Sequence, residues 1–293
     1  LACYYPIQAW LGPKNSSGKT PLVFTKGAGR QPLMIPCGQC IGCRLRRSQD
    51  WAMRMMHEAK QHEKTCFVTL TYSEENRPKG LKMQDFQNFM KRLRKHYGGG
   101  IRYFHCGEYG DQLQRPHYHA ILFGVDFDDR KPWRVRNGHT SYRSEILEKL
   151  WPWGYSEIGT VTYESCAYVA RYCVKKITGH YAAQHYADKD TGEILQSEYC
   201  TMSRRPGIAH AWYKKFHRDV FPSGYMIHNG GKVTPPRYYD RLLEKDDPEL
   251  YEKVKRRRLK EAKLREADND SFRLPVKEEC QMAKLKLLRR DKL

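Results

Sequence analysis

Between residues 48 and 63 the apolar side chains recur at Ala52, Met55, Met56 and Ala59, a spacing that predicts one face of a helix. The run CFVTLTY (66–72) alternates and is rich in strand formers. A second helical stripe follows at Phe86, Phe89, Met90, Leu93 and Tyr97, and Gly98, Gly99 and Gly100 end it. IRYFHCGE (101–108) and HYHAILFG (117–124) read as two strands joined by a polar turn. A helix near 143–150, a strand near 155–163 and a helix near 164–177 complete the series. From residue 66 the predicted order is β-α-β-β-α-β with an extra helix. That order specifies an α+β, ferredoxin-like fold, an antiparallel sheet with helices on one face and the other face free for a site.

Outside this block the patterning weakens. Residues 1–46 are rich in Gly, Pro and Cys without sustained periodicity and read as loops. Within them NSSGKT (15–20) resembles a phosphate-binding loop, but Pro13 occupies the position where that loop requires its first Gly, and no apolar strand precedes it. A flexible loop is the expectation there. Beyond 180, MSRRPGIAHAW (202–212) and GGKVTPPRYYDRLL (230–243) are basic, aromatic and turn-rich. In the tail, the fourteen residues 252–265 hold eight basic and two acidic side chains, a pattern expected of a solvated helical or partly disordered segment.

Composition narrows the classes. The 293 residues carry 53 Lys and Arg against 33 Asp and Glu, a formal net charge of +20, with mean hydropathy −0.82. Aromatic residues make up 12%, enough to build a core. No apolar run approaches the roughly 20 residues of a membrane span, and no secretory signal pattern opens the chain. Collagenous, transmembrane and acidic disordered classes are thereby excluded. The excess positive charge calls for a negative partner, nucleic acid first and a membrane surface second.

Two patterns carry candidate chemistry. In a strand, residues two apart share a face, so His117 and His119 project together with Ile121 and Phe123 continuing their row. Two imidazoles on one rigid strand can form two legs of a divalent-metal site, although surface or core histidines fit the pair equally. In ESCAYVARYCVKKI (164–177), Tyr168, Tyr172, Lys175 and Lys176 share one helical sector, and Cys166, Ala167, Ala170, Cys173, Val174 and Ile177 occupy the other. Alone, that helix also fits an ordinary amphipathic element whose tyrosines cap a core rim.

Together, a strand with His-hydrophobic-His and a later helix with Tyr followed by Lys resemble the HUH endonucleases that initiate rolling-circle replication. CFVTLTY, GEYGDQLQRPHYHAILFG, YVARYCVKK and SRRPGIAHAW, in this order, resemble the replication-initiation proteins of gokushovirus-type microviruses. So does the opening LACYYPIQAW … IPCGQCIGCRLRRSQDWAMRMMHEA, apart from Leu1 where Met is expected. The resemblance covers roughly the first 230 residues and implies an enzyme that nicks and rejoins single-stranded origin DNA through a 5′-phosphotyrosine link. It implies Tyr172 and Tyr168 as nucleophiles, four residues apart and so one turn from each other. Lys175 and Lys176 lie on the face of Tyr172 and favour its phenolate. Arg171, Arg204 and Arg205 are the expected DNA contacts. A Mg²⁺ or Mn²⁺ ion is implied on His117, His119 and a carboxylate, for which Glu108 occupies the family's acidic position. Strand parity leaves a condition open: Glu108 shares the histidines' face only in a register such as 108 with 117, whereas the other parity brings His105 there. A carboxylate suits a hard ion better than a third imidazole.

Ten cysteines are present, and Cys37, Cys40 and Cys43 form C-x2-C-x2-C. Cys3 is the best fourth ligand for a structural Zn²⁺ site. Reduced, unliganded thiols are the alternative, and an iron–sulfur cluster lacks further cysteines at suitable spacing. The expected organisation is a Cys-rich segment at 1–46, a nicking domain at 47–200 and a basic region at 201–293. The resemblance places the protein in the cytoplasm of a bacterial host, with a host helicase as a candidate partner and no membrane partner. A packaging or coating protein that binds single-stranded DNA without cutting it is the competing function. A conjugative relaxase or transposase would share the chemistry, but the phage-type flanking motifs argue against it.

Overall fold

The computed structural model describes residues 3–16, 18, 20–27, 30, 32–110, 113–136, 138–175, 181–188 and 191–287, with the side chains of 172–175 and 181 outside that description. The chain divides into two compact units, one from 1–47 with 257–289 and the other from 48–256.

The first unit opens with β1 (Ile7–Leu11), β2 (Leu22–Val23) and β3 (Pro32–Ile35), an antiparallel sheet in the order β2-β1-β3. The expected loops are therefore partly strands. They escaped the pattern because each is short and buries little: only Ala9 is fully covered in β1. Helix α1 (Ile41–Ala59) starts in this unit and continues into the second.

The second unit is built on β4 (Thr65–Tyr72), α2 (Met83–Tyr97), β5 (Arg102–Tyr109), β6 (Pro116–Phe123), β7 (Lys131–Arg136), β8 (His139–Arg143), α3 (Glu145–Leu150), β9 (Gly154–Gly159), α4 (Tyr163–Lys175) and α5 (Tyr181–Tyr186). There follow β10 (Tyr199–Met202), α6 (His210–Val220), a β11 (Met226–His228) and β12 (Gly231–Val233) hairpin, α7 (Arg237–Asp246) and α8 (Pro248–Lys263). The last helix, α9 (Arg273–Leu287), returns to the first unit. One antiparallel sheet of seven strands runs β10-β5-β6-β4-β9-β8-β7.

The local causes follow the patterning. β4 alternates without a break, with Cys66, Val68, Leu70 and Tyr72 buried. The α2 stripe buries Phe86, Phe89, Met90 and Leu93, each worth about 1.5–3 kcal/mol. Its end is set by Gly98, whose φ of 92° suits glycine and whose N–H bonds Arg94 O at 3.0 Å. Ser144 caps α3, its Oγ accepting the Leu147 N–H at 3.0 Å.

Helices lie on both faces of the sheet, which corrects the expectation of one free face. α2 and α3 pack on Val68, Leu70, Tyr118, Ala120 and Leu122. On the opposite face α1, α4, α6 and α7 gather over Phe104, Cys106, Ile121 and Phe123. The helices that cover this second face come from segments before and after the β-α-β-β-α-β block. Residues 201–256, expected to begin a separate basic region, send Ile208, Tyr213, Tyr239, Leu243 and Val254 into that core, and β10 adds an edge strand across the expected boundary. The hairpin of β7 and β8 extends the other edge. Every residue of β7 is exposed, so no alternation announced it.

Candidate metal centre beside a tyrosine helix

The site forms where the row of β6 side chains leaves the core. Phe123 and Ile121 are fully buried under the helices, and the same row continues to His119 and His117. His119 is 5% exposed, and the His117 side chain is 14% exposed, so the row opens toward solvent at His117. The register pairs Glu108 with His117 and Cys106 with His119 across β5 and β6. The parity condition is therefore met for Glu108. His105 faces the other way, buried, with its ring stacked on Phe86 at 3.5 Å and its Nδ1 2.7 Å from Thr201 Oγ1.

Both imidazoles converge on one carboxylate oxygen. Glu108 Oε1 lies 2.8 Å from His117 Nε2 and 3.0 Å from His119 Nε2. The opposite nitrogens are held from behind: His117 Nδ1 is 2.9 Å from Arg115 O, and His119 Nδ1 is 3.0 Å from Thr69 Oγ1. A carbonyl can only accept, so Nδ1 of His117 carries a proton and a neutral ring presents a lone pair at Nε2. A lone pair set 2.8 Å from a carboxylate oxygen is favourable only with a proton or a cation between them. Two imidazole nitrogens and a carboxylate converging on one point fit a divalent ion, and this group can hold one. Burial pushes the Glu108 carboxyl up, but the bonds to His117 and His119 outweigh it and hold the group below its usual range.

Helix α4 brings a phenol to the same place. Tyr168 Oη is 3.4 Å from His119 Nε2, with the two rings edge to face at 5.0 Å. Phe67 stacks on His119 at 5.6 Å and forms the floor between β4 and α4. The opposite sector of α4, through Cys166, Val169 and Ala170, is fully buried, which fixes the rotation of the helix. The guanidinium of Arg171 sits 5.5 Å from the centre of the Tyr168 ring. Tyr172 and Lys175 belong to α4 by backbone, but their side chains lie outside the described residues, and Lys176 lies outside them altogether. Arg204 and Arg205 stand exposed in the turn between β10 and α6.

A cavity of about 460 Å³ leads from His119, Thr69 and Tyr168 along β9 to the β7–β8 hairpin, where Arg134, Arg136 and His139 line it. Arg134 is paired with Glu157 at 2.6 Å. Thr69 and the hairpin residues were missed by sequence reasoning. Thr69 was within reach, since it shares the alternating face of Phe67 on β4; the hairpin offered no period to read. In the first unit, the sulfurs of Cys3, Cys37, Cys40 and Cys43 lie within 4.8 Å of one another.

A family model for the replication-associated protein ORF2 group matches residues 65–177, the stretch holding the trio and the tyrosine helix. The chain is 34% identical to the replication-associated protein VP4 of Bdellovibrio phage phiMH2K, over 93% of this chain and 88% of that one. It is 32% identical to the replication-associated protein ORF2 of Spiroplasma virus 4, over 78% and 74% of the two chains. Against the replication-associated protein ORF4 of Chlamydia phage 1 the identity is 31%, over 77% of this chain and 59% of that one. No solved structure matches.

Proposed function

Because the chain belongs to the replication-associated proteins of small phages, we propose that it initiates phage genome replication by nicking and rejoining single-stranded DNA at the origin. The observation that carries this reading is the convergence of Glu108, His117 and His119 with the Tyr168 phenol 3.4 Å from His119. A protein that only coats or packages DNA has no use for that constellation. The sheet segment β5-β6-β4-β9 with α2 and α3 supports a ferredoxin-like core of the HUH type.

His117, His119 and Glu108 would hold a Mg²⁺ or Mn²⁺ ion. When bound, the ion neutralises charge on the non-bridging oxygens of the scissile phosphate. Thr69 and the Arg115 carbonyl orient the two rings so that both Nε2 atoms stay aimed at it. The phenol oxygen of Tyr168 or Tyr172 attacks phosphorus and loses its proton. The bond from phosphorus to the 3′ oxygen breaks, that oxygen takes up a proton, and the 5′ phosphate remains esterified to tyrosine. A phenol is a good leaving group, so the reverse transfer rejoins the strand. Lys175 and Lys176 favour the phenolate of Tyr172. With two tyrosines one turn apart, the enzyme linked to the first 5′ end can cut the regenerated origin with the second.

The cleft between the trio and the β7–β8 hairpin is the proposed path of the strand, with Arg134 and Arg136 on its wall. Arg171, Arg204 and Arg205 supply further phosphate contacts, and the +20 net charge supports binding that is strong at low salt. Among the described residues no helix is long and apolar enough to cross a membrane. The work is proposed to occur in the cytoplasm of the bacterial host, with a host helicase opening the duplex ahead.

The test is incubation with an origin-bearing single strand and Mn²⁺. The expected product is a detergent-stable protein–DNA adduct plus a fragment with a free 3′-hydroxyl, and chelator prevents both. Tight DNA binding without any cut strand would favour the coating protein instead.

A further inference from the structure

The first unit holds a chemistry that the nicking reaction does not use. Its buried apolar side chains, among the described residues, are Tyr4, Ala9, Cys40 and Leu274. Its strands are five, two and four residues long and leave Ile7, Leu11, Leu22 and Met34 exposed. So small a core falls short of what an independent unit needs, and natural scaffolds of this kind are held by disulfides or a metal. Disulfides are absent among the described cysteines, all of which are free.

The four thiols are arranged as ligands of a single ion. Their sulfurs lie within 4.8 Å of one another, and Cys3 Sγ and Cys40 Sγ are 3.9 Å apart. Four sulfurs at about 2.3 Å from a tetrahedral zinc stand roughly 3.8 Å from each other. A disulfide would bring a pair to about 2.05 Å. A multi-iron cluster gives each sulfur its own iron and spreads them wider than sulfurs sharing one ion.

Backbone amides point at the sulfurs, which is the second observation. Cys37 N–H donates to Cys3 Sγ at 3.2 Å, and Tyr4 N–H to Cys40 Sγ at 3.4 Å. Cys37 Sγ accepts two, from Gln39 N–H at 3.4 Å and Cys40 N–H at 3.3 Å. A neutral thiol is a weak acceptor and needs no such provision; a thiolate does. The turn that allows these bonds requires Gly38, whose φ is 76°. Cys40 precedes the first residue of α1 and Cys43 lies in its first turn, where the helix dipole favours negative charge. Tyr4 and Leu274 close over the cluster and limit water access.

We propose that Cys3, Cys37, Cys40 and Cys43 bind one zinc ion as a closed structural site that holds the N-terminal segment onto the start of α1. All four positions are protein ligands, so nothing is left open for substrate. Each thiol gives up its proton on binding, and soft thiolates select zinc over the hard ions suited to Glu108 and the histidines. The proposal does not rest on the nicking reaction.

The full-length protein and its His117→Ala/His119→Ala variant are purified without added chelator and analysed for bound metal. Both are expected to carry one zinc per chain, released when a mercurial reagent blocks the thiols. The cobalt-substituted wild type is expected to show sulfur-to-cobalt charge-transfer absorption, and Cys37→Ser to lose it together with the zinc. Zinc that disappears in the histidine variant and persists in Cys37→Ser overturns the proposal. So does a metal-free wild type with all its thiols titrating, or bound iron in place of zinc. If Cys37→Ser does not fold, the cobalt spectrum of the wild type decides, since only a thiolate ligand gives that absorption. None of these outcomes bears on the adduct test.

Discussion

The trio of Glu108, His117 and His119 and the cluster of four cysteines both gather metal-ligating atoms within 4.8 Å, yet they are assembled in opposite ways. The trio stands on two neighbouring strands in the interior of a seven-stranded sheet, and its geometry follows from the backbone register of β5 and β6. Two buried cores on either face hold those strands whether or not an ion is bound. The cysteine cluster closes a loop from Cys3 to Cys37 in a unit with little core, so the ligand itself must supply much of the order. A site built on a sheet is positioned before it binds; one built on loops is positioned by binding. The first suits catalysis, where ligands must be held while substrate changes charge, and the second suits a structural staple.

The largest effect expected from this contrast falls on activity. His117→Ala or His119→Ala should cut nicking by about a thousandfold or more, since a metal ion contributes several kcal/mol of charge stabilisation. DNA affinity should change little, because Lys and Arg contacts to phosphate dominate it. Parallel cleavage and binding assays check both halves, and loss of binding in step with cleavage would blur the distinction between scaffold and ligand. Metal removal should separate the two regions next. Hydrogen exchange should rise steeply across residues 3–43 when thiol-bound metal is stripped, and stay protected across β4, β5 and β6. Equal loosening of both regions would contradict a pre-built trio.

Thr69→Val removes the partner of His119 Nδ1 without changing side-chain volume much. Metal affinity should fall about 10–100-fold, as for other groups that orient a ligating histidine, with the fold intact by circular dichroism. An unchanged Mn²⁺ affinity would mean the sheet alone fixes the ring.

The smallest effect is on acid stability. His57 is buried on α1, stacked on Trp212 at 3.6 Å with Nδ1 2.7 Å from Tyr239 Oη, and burial lowers its pKa from 6.5 to about 3. Between those values the unfolded chain binds a proton that the folded one does not, so stability rises with pH there. Going down from about pH 6.5 to about 4.5 should cost the sheet unit about 2 kcal/mol through this residue. Denaturant melts at both pH values check it, and His57→Gln should flatten the acid limb relative to wild type.

How much of this was legible in the sequence depended on period and parity. The stripes of α1 and α2 and the alternation of β4 and β6 gave the block from 66 onward, because each buries one face against a core. The histidine row and the tyrosine helix followed from the same periods. Parity could not choose between Glu108 and His105, since cross-strand register depends on the β5–β6 turn and not on either strand alone. The strands of the first unit are too short for a period, and β7 is exposed along its whole length. The helices over the site face were hidden for another reason: their apolar stripes were visible in part, but nothing local says which face of the sheet a distant helix will cover.

The central claim is that the histidine row and the α4 tyrosines make one strand-transfer site, and peptide mapping of the covalent DNA adduct tests it most directly. Wild type, Tyr168→Phe, Tyr172→Phe and the double variant are each incubated with an origin strand and Mn²⁺, digested and mapped. The account predicts DNA on Tyr168 or Tyr172 in the wild type, an adduct on the remaining tyrosine in each single variant, and none in the double variant. DNA found on Tyr172 alone, with Tyr172→Phe inactive, would end the two-tyrosine scheme. An adduct on a tyrosine outside α4, or cut strands with no adduct, would contradict the account as a whole.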